Sequence, residues 1–318
     1  MYKEKTIPVY IKEIYQETND VKRFILASVE GKLLPRFNSG AHIATYLKRE
    51  DGFIIRQYSL TSNPDKTDQY QIAVRLSNAS KGGSLFWHEQ IKVGDELHIS
   101  YPKNDFPLSF KAKHHVFYAA GIGITPFLSM IQELSDKGSS FELHYASKSK
   151  EVCAFYDYLR KHFSNQSHFY FSKQHNRVST SSLEKHPIGT HIYFCGPVSF
   201  IQEFTEAALG IGYPKSSIHL EHFVPVQPMN VEPFQVITKN GEVIQVAKEQ
   251  TLLEALLHNN VEAPYSCRMG RCGTCEIPVL KGEIDHCDSF LTEDQKNAQR
   301  SILTCVSRAK SGKLVIGI

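Results

Sequence analysis

The chain has no long apolar run, no block of like charge and no internal repeat. Its most apolar stretch, VFYAAGIGITPFLSMI, is broken by glycine, threonine and proline, which excludes a transmembrane helix there. The N-terminal MYKEKTIPVYIKE lacks the uninterrupted apolar core of a signal peptide, so a cytoplasmic protein is expected. The formal charge is only +3 and no basic cluster stands out, so neither nucleic acid nor a membrane is an expected partner. An even, closely spaced set of cysteines is also missing. The 7 cysteines are scattered along the chain, which argues against a disulfide framework and leaves metal ligation or plain thiols. What is present is a soluble globular composition, 41% hydrophobic and 22% charged, over 318 residues, enough for two or three domains.

Three segments follow one another. Residues 1–108 read as short strands such as IIRQYSL and YQIAVRL between turn clusters TSNPDK and SNASKGG, the pattern of an antiparallel barrel or sandwich. Residues 109–225 alternate buried strands (HHVFYAAG, FELHYAS, HFYFS, HIYFC) with amphipathic helices. In PFLSMIQEL, Phe127, Met130, Ile131 and Leu134 share one helical face. That alternation predicts a parallel sheet covered by helices. Residues 226–232 lie in a proline-bearing linker, and 233–318 open with two strand-like runs around Asn240-Gly241, a hairpin signal. A short helix, TLLEALLHN, then precedes a cysteine loop.

That loop, CRMGRCGTC, places Cys267, Cys272 and Cys275 in C-x4-C-x2-C spacing, with Cys305 far downstream. A [2Fe–2S] cluster needs four thiolates, two per iron, and a tight loop can supply three. Gly270 and Gly273 let the loop bend, and Arg268 and Arg271 add positive charge beside an anionic cluster. Structural zinc is the rival, but zinc sites pair two short cysteine knuckles and Cys305 has no cysteine neighbour. Residues 233–318 resemble a plant-type ferredoxin domain, which implies a β-grasp fold and a one-electron cluster near the surface.

Upstream, AAGIGITPF runs from a strand into a helix. Gly121 and Gly123 would let backbone approach a phosphate, and Thr125 is placed to cap the helix, whose N-terminus suits an anion. Pro126 stands where a dinucleotide fingerprint has its third glycine, and by itself the turn is equally an ordinary connection. Cys195-Gly196-Pro197 ends another buried strand, where ligands sit in open α/β sheets, although most free cysteines are simply small buried hydrophobes. In the first segment Arg56, Tyr58 and Ser59 could hold a phosphate, a ring and a ring edge. Lys81-Gly82-Gly83-Ser84 opens a helix-like LFWH, a second candidate phosphate cradle.

In this order the motifs resemble the ferredoxin-reductase flavoproteins, and with the C-terminal ferredoxin domain the whole chain resembles the phthalate dioxygenase reductase family. PKNDFPL, GIGITPFLSM and CVSRAKSGKLVIGI carry that match. The resemblance implies three parts: an antiparallel β-barrel flavin domain, an α/β nucleotide domain and a β-grasp ferredoxin domain. It assigns Arg56, Tyr58, Ser59, Gly82, Gly83 and Ser84 to FMN, with FAD as the alternative. It assigns Gly121, Gly123, Thr125 and Cys195-Gly196-Pro197 to NADH or NADPH, and Cys267, Cys272, Cys275 and Cys305 to the cluster. Phe223 falls in the family's E-x-F stretch, where it would shield the flavin or pack between domains. The implied activity is oxidoreduction from NAD(P)H through flavin and a cluster at roughly −400 mV to a terminal oxygenase.

Two alternatives stand beside that reading: a reductase serving a haem protein, and a zinc-stabilised binding module with a degenerate flavin fold. Serine and lysine in ASKSK (146–150) and FSKQHNR (171–177) could take a 2′-phosphate, although the family favours NADH. Cys153 and Cys287 read as structural thiols, and His114-His115 as surface. The histidines show no zinc-like pairing. The loop from Arg268 to Thr274 is the natural docking surface for an acceptor.

Overall fold

The computed structural model describes residues 5–49, 52–77, 82–223, 231–265, 268–288, 290–310 and 312–318. They fall into two compact units, Met1–Glu221 and His222–Ile318. The linker expected at 226–232 falls largely outside the described residues.

The first unit begins with β1 (Thr6–Thr18), β2 (Val21–Ser28), β3 (His42–Arg49), β4 (Gly52–Ser59), β5 (Tyr70–Arg75) and β6 (Glu96–Ser100). They make one antiparallel sheet in the order β4-β3-β6-β1-β2-β5. Just past β4 the Thr61 N–H donates to the Gln71 carbonyl of β5 at 2.8 Å, so the sheet curls its two ends together. The curl encloses Trp87 of α1 (Gly83–Glu89), packed edge-on against Phe24 and Tyr58 at ring separations of 4.6 and 5.7 Å. Aromatic edge-to-face contacts of this kind fix the helix against the inner sheet face.

The same unit continues with β7 (His114–Ala120), α2 (Thr125–Asp136), β8 (Phe141–Ser147), α3 (Tyr156–His162), β9 (Ser167–Phe171), β10 (Thr190–Cys195), α4 (Val198–Gly210) and β11 (Ile218–Glu221). All neighbouring strands are parallel, in the order β9-β8-β7-β10-β11. The central strands are apolar on both sides because helices cover both faces. Phe117, Leu143 and Tyr193 pack with α2 and α3, while Val116, Ile192 and Phe194 pack with α4.

One polar face of α2 carries Ser129, Gln132, Glu133 and Asp136, spaced i, i+3, i+4 and i+7. All four bond the antiparallel sheet's loops. Ser129 Oγ accepts from the buried Gly40 N–H at 3.0 Å, and Gln132 Nε2 donates to the Thr61 carbonyl at 3.0 Å. Glu133 accepts from Ser39 N–H at 3.3 Å, and Asp136 from the Asn63 amide at 2.7 Å. Gly40 must be glycine here, since a Cβ would meet the Phe106 carbonyl oxygen at 2.2 Å.

The second unit has β12 (Phe234–Ile237), β13 (Val243–Val246), α5 (Leu252–His258), β14 (Glu276–Lys281), β15 (Ile284–Asp285), α6 (Glu293–Ala298), β16 (Ser301–Leu303), β17 (Arg308–Ala309) and β18 (Lys313–Ile316). The main sheet runs β13-β12-β18-β14-β16, with β18 parallel to β12 at its centre. Gly241 turns the expected hairpin with φ 83°. Thr251 and Glu254 close a reciprocal cap on α5 (2.9 and 3.1 Å), whose leucines fill the sheet's core. This is the mixed sheet with a crossing helix expected of a β-grasp.

The reading of His114-His115 as surface is corrected. His115 is buried, and His114 is covered on the sheet face that it shares with Glu142.

Candidate functional site

In the order β9-β8-β7-β10-β11 the chain winds outward from β7 on one side and from β10 on the other. The crevice past the carboxyl ends of β7 and β10 is therefore the topological switch point, where open α/β sheets bind nucleotides. Gly121 and Gly123 leave β7 there, and Cys195-Gly196-Pro197 leave β10. Gly121 adopts φ 57°, and Tyr145 Oη holds its carbonyl at 3.0 Å. Gly123 has a packing reason to be glycine. A Cβ there would lie 2.2 Å from the Cys195 carbonyl oxygen, so its missing side chain lets the two loops touch backbone to backbone. Gly196 is also closely packed, with Ala120 Cβ 2.8 Å from where its own Cβ would be.

Thr125 was expected to cap α2, and the structure corrects that. Its hydroxyl donates back to the Ile122 carbonyl at 3.0 Å, and no side chain caps the helix start. Pro126 sits in the first turn, where a missing N–H costs nothing. The Cys195 side chain is buried in the core on the α2 side, leaving backbone of residues 195–197 to line the crevice.

At the flavin motif, Arg56, Tyr58 and Ser59 occupy the end of β4. Ser59 is buried, and Tyr58 rests on Trp87, where burial pushes its phenol pKa up. Gly82 takes a left-handed φ of 90° as the chain enters α1. A Cβ on Gly83 would come within 2.7 Å of Arg56 Nε, so the absent side chain leaves room for the arginine across the first turn of α1. Ser84 Oγ accepts from Ser77 N–H at 3.2 Å. Arginine, a glycine turn and a cluster of edge-packed aromatic rings thus stand together, a donor set that fits a flavin with its phosphate at Gly82–Ser84. Lys81 lies outside the described residues.

In the second unit the cysteine loop reverses three times, with φ of 56° at Arg268, 74° at Gly270 and 72° at Gly273. Cys275 and Cys305 are buried, with sulfurs 3.2 Å apart. That is far beyond a disulfide's bond of about 2.05 Å and near the ~3.8 Å between two thiolates on one tetrahedral metal. The Cys305 thiol beside it holds the Cys275 thiol below its ordinary pKa. Cys272 lies half-buried on the same loop, and Cys267 lies outside the described residues. The donors fit an iron–sulfur cluster, in which Cys275 and Cys305 would be the pair on one iron.

Neither loop arginine stands free. Arg268 lies 4.4 Å over the Tyr265 ring, and Arg271 donates to the His222 carbonyl. Phe223 is 37% exposed in the segment entering this unit. Cys153 and Cys287 are thiols whose pKa values burial pushes up to about 12 and about 11, as structural cysteines would show.

Sequence reading missed Tyr145, Gly40 and the α2 stripe. Ser129, Gln132, Glu133 and Asp136 have the spacing of an ordinary solvated helix face. Only their partners, more than sixty residues upstream, give them meaning.

Three family models match the chain: an oxidoreductase FAD-binding domain over residues 8–107, the N-terminal domain of dimethylamine monooxygenase subunit DmmA-like proteins over 102–218, and a 2Fe-2S iron-sulfur cluster binding domain over 236–310. A carnitine monooxygenase reductase subunit of Escherichia coli is 38% identical over 98% of both chains. The solved phthalate dioxygenase reductase is 31% identical, covers 98% of both chains and superposes with a TM-score of 0.80. The chain belongs to the phthalate dioxygenase reductase family. As a family member it is a flavin- and [2Fe–2S]-dependent oxidoreductase, which sets aside zinc as the occupant of the cysteine loop. An intact type IV self-sufficient cytochrome P450 monooxygenase is also similar, at 34% identity and TM-score 0.76; the chain spans 41% of its length. Among the described residues no helix is long and apolar enough to cross a membrane.

Proposed function

We propose that this reductase takes a hydride from NADH onto FMN and delivers single electrons through its [2Fe–2S] cluster to a separate Rieske-type non-haem iron oxygenase. The observation that carries the reading is the pairing, in one chain, of a nucleotide crevice and flavin seat with a one-electron thiolate site. Bound flavin converts a two-electron hydride into two single transfers, which is what such a pairing requires. The residues of the chain act by position. Gly121, Gly123 and the backbone of 195–197 shape the nicotinamide seat, Tyr58 and Ser59 set the flavin plane and edge, and the α2 stripe fixes one site against the other.

The phosphate seat at Arg56 and Gly82–Ser84 suits either flavin, and FMN is favoured because the sequence offers no motif dedicated to the adenosine half of FAD. NADH is supported by the engagement of two of the residues a 2′-phosphate would use. Ser147 Oγ donates to the Val152 carbonyl at 3.3 Å, and Lys150 Nζ lies 4.9 Å over the Tyr156 ring. The likeness to a carnitine monooxygenase reductase subunit supports an oxygenase partner. The P450 relative supports the rival, a haem acceptor.

Anaerobic titration with NADH is the test of the relay. Flavin and cluster bands should bleach together with uptake of roughly three electrons per chain, two on flavin and one on the cluster. A much lower KM for NADPH, or FAD in an acid extract, would overturn the donor or flavin assignment. Turnover with Rieske oxygenases from the same organism decides the acceptor, and coupling only to a haem protein would establish the rival.

A further inference from the structure

We infer that the nucleotide-binding half carries a second metal site, for a divalent first-row transition ion such as Zn²⁺, built from His114, His186 and Glu142. The site lies at the opposite end of the parallel sheet from the switch point. His114 opens β7 and Glu142 stands near the start of β8, whereas the nucleotide loops leave the strands' other ends, roughly 20 Å away along a seven-residue strand. Strand register places Glu142 beside Val116, His144 beside Tyr118 and His168 beside His144, so these side chains share one sheet face. His186 comes from the segment after the turn at Thr180–Lys185.

The distances divide the cluster into two shells. His144 Nε2 and His168 Nε2 each stand 3.0 Å from Glu142 Oε1, so that oxygen faces two imidazoles. The other oxygen, Oε2, faces His186 Nδ1 at 3.6 Å and His114 Nε2 at 4.0 Å. Those separations are too long for hydrogen bonds, yet close to the ~3.4 Å between ligands on a tetrahedral ion with bonds of about 2.1 Å. All three ligand atoms lie within 4.8 Å of one another.

The far nitrogens are anchored as metal-ligating imidazoles usually are. His114 Nδ1 pairs with Ser140 Oγ at 2.7 Å and His186 Nε2 with Tyr118 Oη at 2.9 Å. His144 is held the same way by Tyr170 Oη at 2.8 Å, and stacks on Tyr118. Burial lowers the pKa of both His114 and His186, which keeps them neutral and able to ligate at pH 7. Two imidazoles and one carboxylate, with solvent reaching the half-exposed His168, make a three-ligand set with an open position, suited to zinc and its neighbours.

The test is zinc uptake by the cofactor-loaded protein. Wild type, His114→Gln and His186→Gln would be equilibrated with micromolar Zn²⁺, stripped of free metal and measured for zinc content and zinc K-edge absorption. Flavin and cluster spectra, and bleaching by NADH, serve as the folding control. Wild type is expected to retain one zinc per chain with only nitrogen and oxygen neighbours, and each variant to bind more than tenfold more weakly. Should the buried H186Q fail its folding control, the more accessible H114Q decides alone. No retained zinc, sulfur neighbours from the cysteine loop, or equal retention by a folded variant would overturn the site.

Discussion

At the scale of single residues, the nucleotide crevice depends on an absence of atoms. Gly123 and Gly121 look interchangeable in the sequence but are glycine for different reasons. A Cβ at Gly123 would strike the Cys195 carbonyl at 2.2 Å, and backbone on both sides leaves nothing flexible to yield. A Cβ at Gly121 has only Arg75 nearby, at 3.8 Å, and its constraint is the φ of 57°. Gly123→Ala should therefore push the two loops apart and raise KM for NADH at least tenfold, leaving the cluster spectrum unchanged. Gly121→Ala should cost roughly 1–2 kcal/mol of backbone strain, with a smaller rise in KM. Steady-state kinetics on the two variants would check the order; an unchanged KM in G123A would show that the loop contact does not shape the seat. The Gly-x-Gly pattern was legible as a tight turn, but that Gly123 packs against backbone while Gly121 does not depends on a loop more than seventy residues downstream. For the same reason the Thr125 cap misled. Its hydroxyl satisfies a carbonyl within the preceding turn, one of the local bonds that threonine makes in competition with capping.

Among elements, α2 has two duties. Its N-terminus emerges from the Gly121–Ile124 turn, and its polar stripe bonds the flavin-binding sheet. Ser129→Ala should leave the buried Gly40 N–H without an acceptor and destabilise the first unit by about 1–3 kcal/mol. Denaturation followed by flavin release reads that loss, while the cluster's visible band should report an unchanged second unit. Loss of both signals together would mean that the units do not unfold separately. Thr251→Ala makes the reciprocal case: removing the reciprocal cap on α5 should cost the cluster unit about 1 kcal/mol and leave flavin release unaltered. Elements that carry their own pattern were readable from sequence, including the Asn240-Gly241 hairpin, the apolar faces of α2 and α5, and the buried parallel strands. The stripe was not, because hydrogen-bonding residues on a helix face look alike whether their partner is water or another sheet. The histidine cluster escaped for a related reason. Its members come from three strands and a loop, so no spacing along the chain marks them.

For the whole molecule, buried neutral histidine sets the response to acid. Burial lowers the pKa values of His114, His115 and His191, and takes His186 and His219 down to about 4 from 6.5. His191 and His219 are locked in a 2.9 Å contact, with His219 stacked on Tyr193. As pH falls below 6.5 the unfolded chain takes up protons at these sites before the folded chain does, and at His186 and His219 the folded chain resists until about pH 4. By linkage, the stability they confer is complete above pH 6.5 and is lost as pH falls towards 4. The surrounding imidazoles, His144 first, lower Glu142 to about 2, so its contribution is complete above its ordinary pKa of 4.5 and fades as pH drops further. The two windows follow one another and have the same sign. The urea midpoint of the first unit should therefore decline steadily from pH 6.5 and keep declining below 4.5, and a midpoint flat between pH 7 and 5 would rule the histidines out as its cause. His219→Phe isolates one contributor, since phenylalanine keeps the stacking on Tyr193 and cannot be protonated. That variant should show a shallower decline than wild type between pH 6.5 and 4, with the step below 4.5 retained, because Glu142 and its imidazoles are untouched.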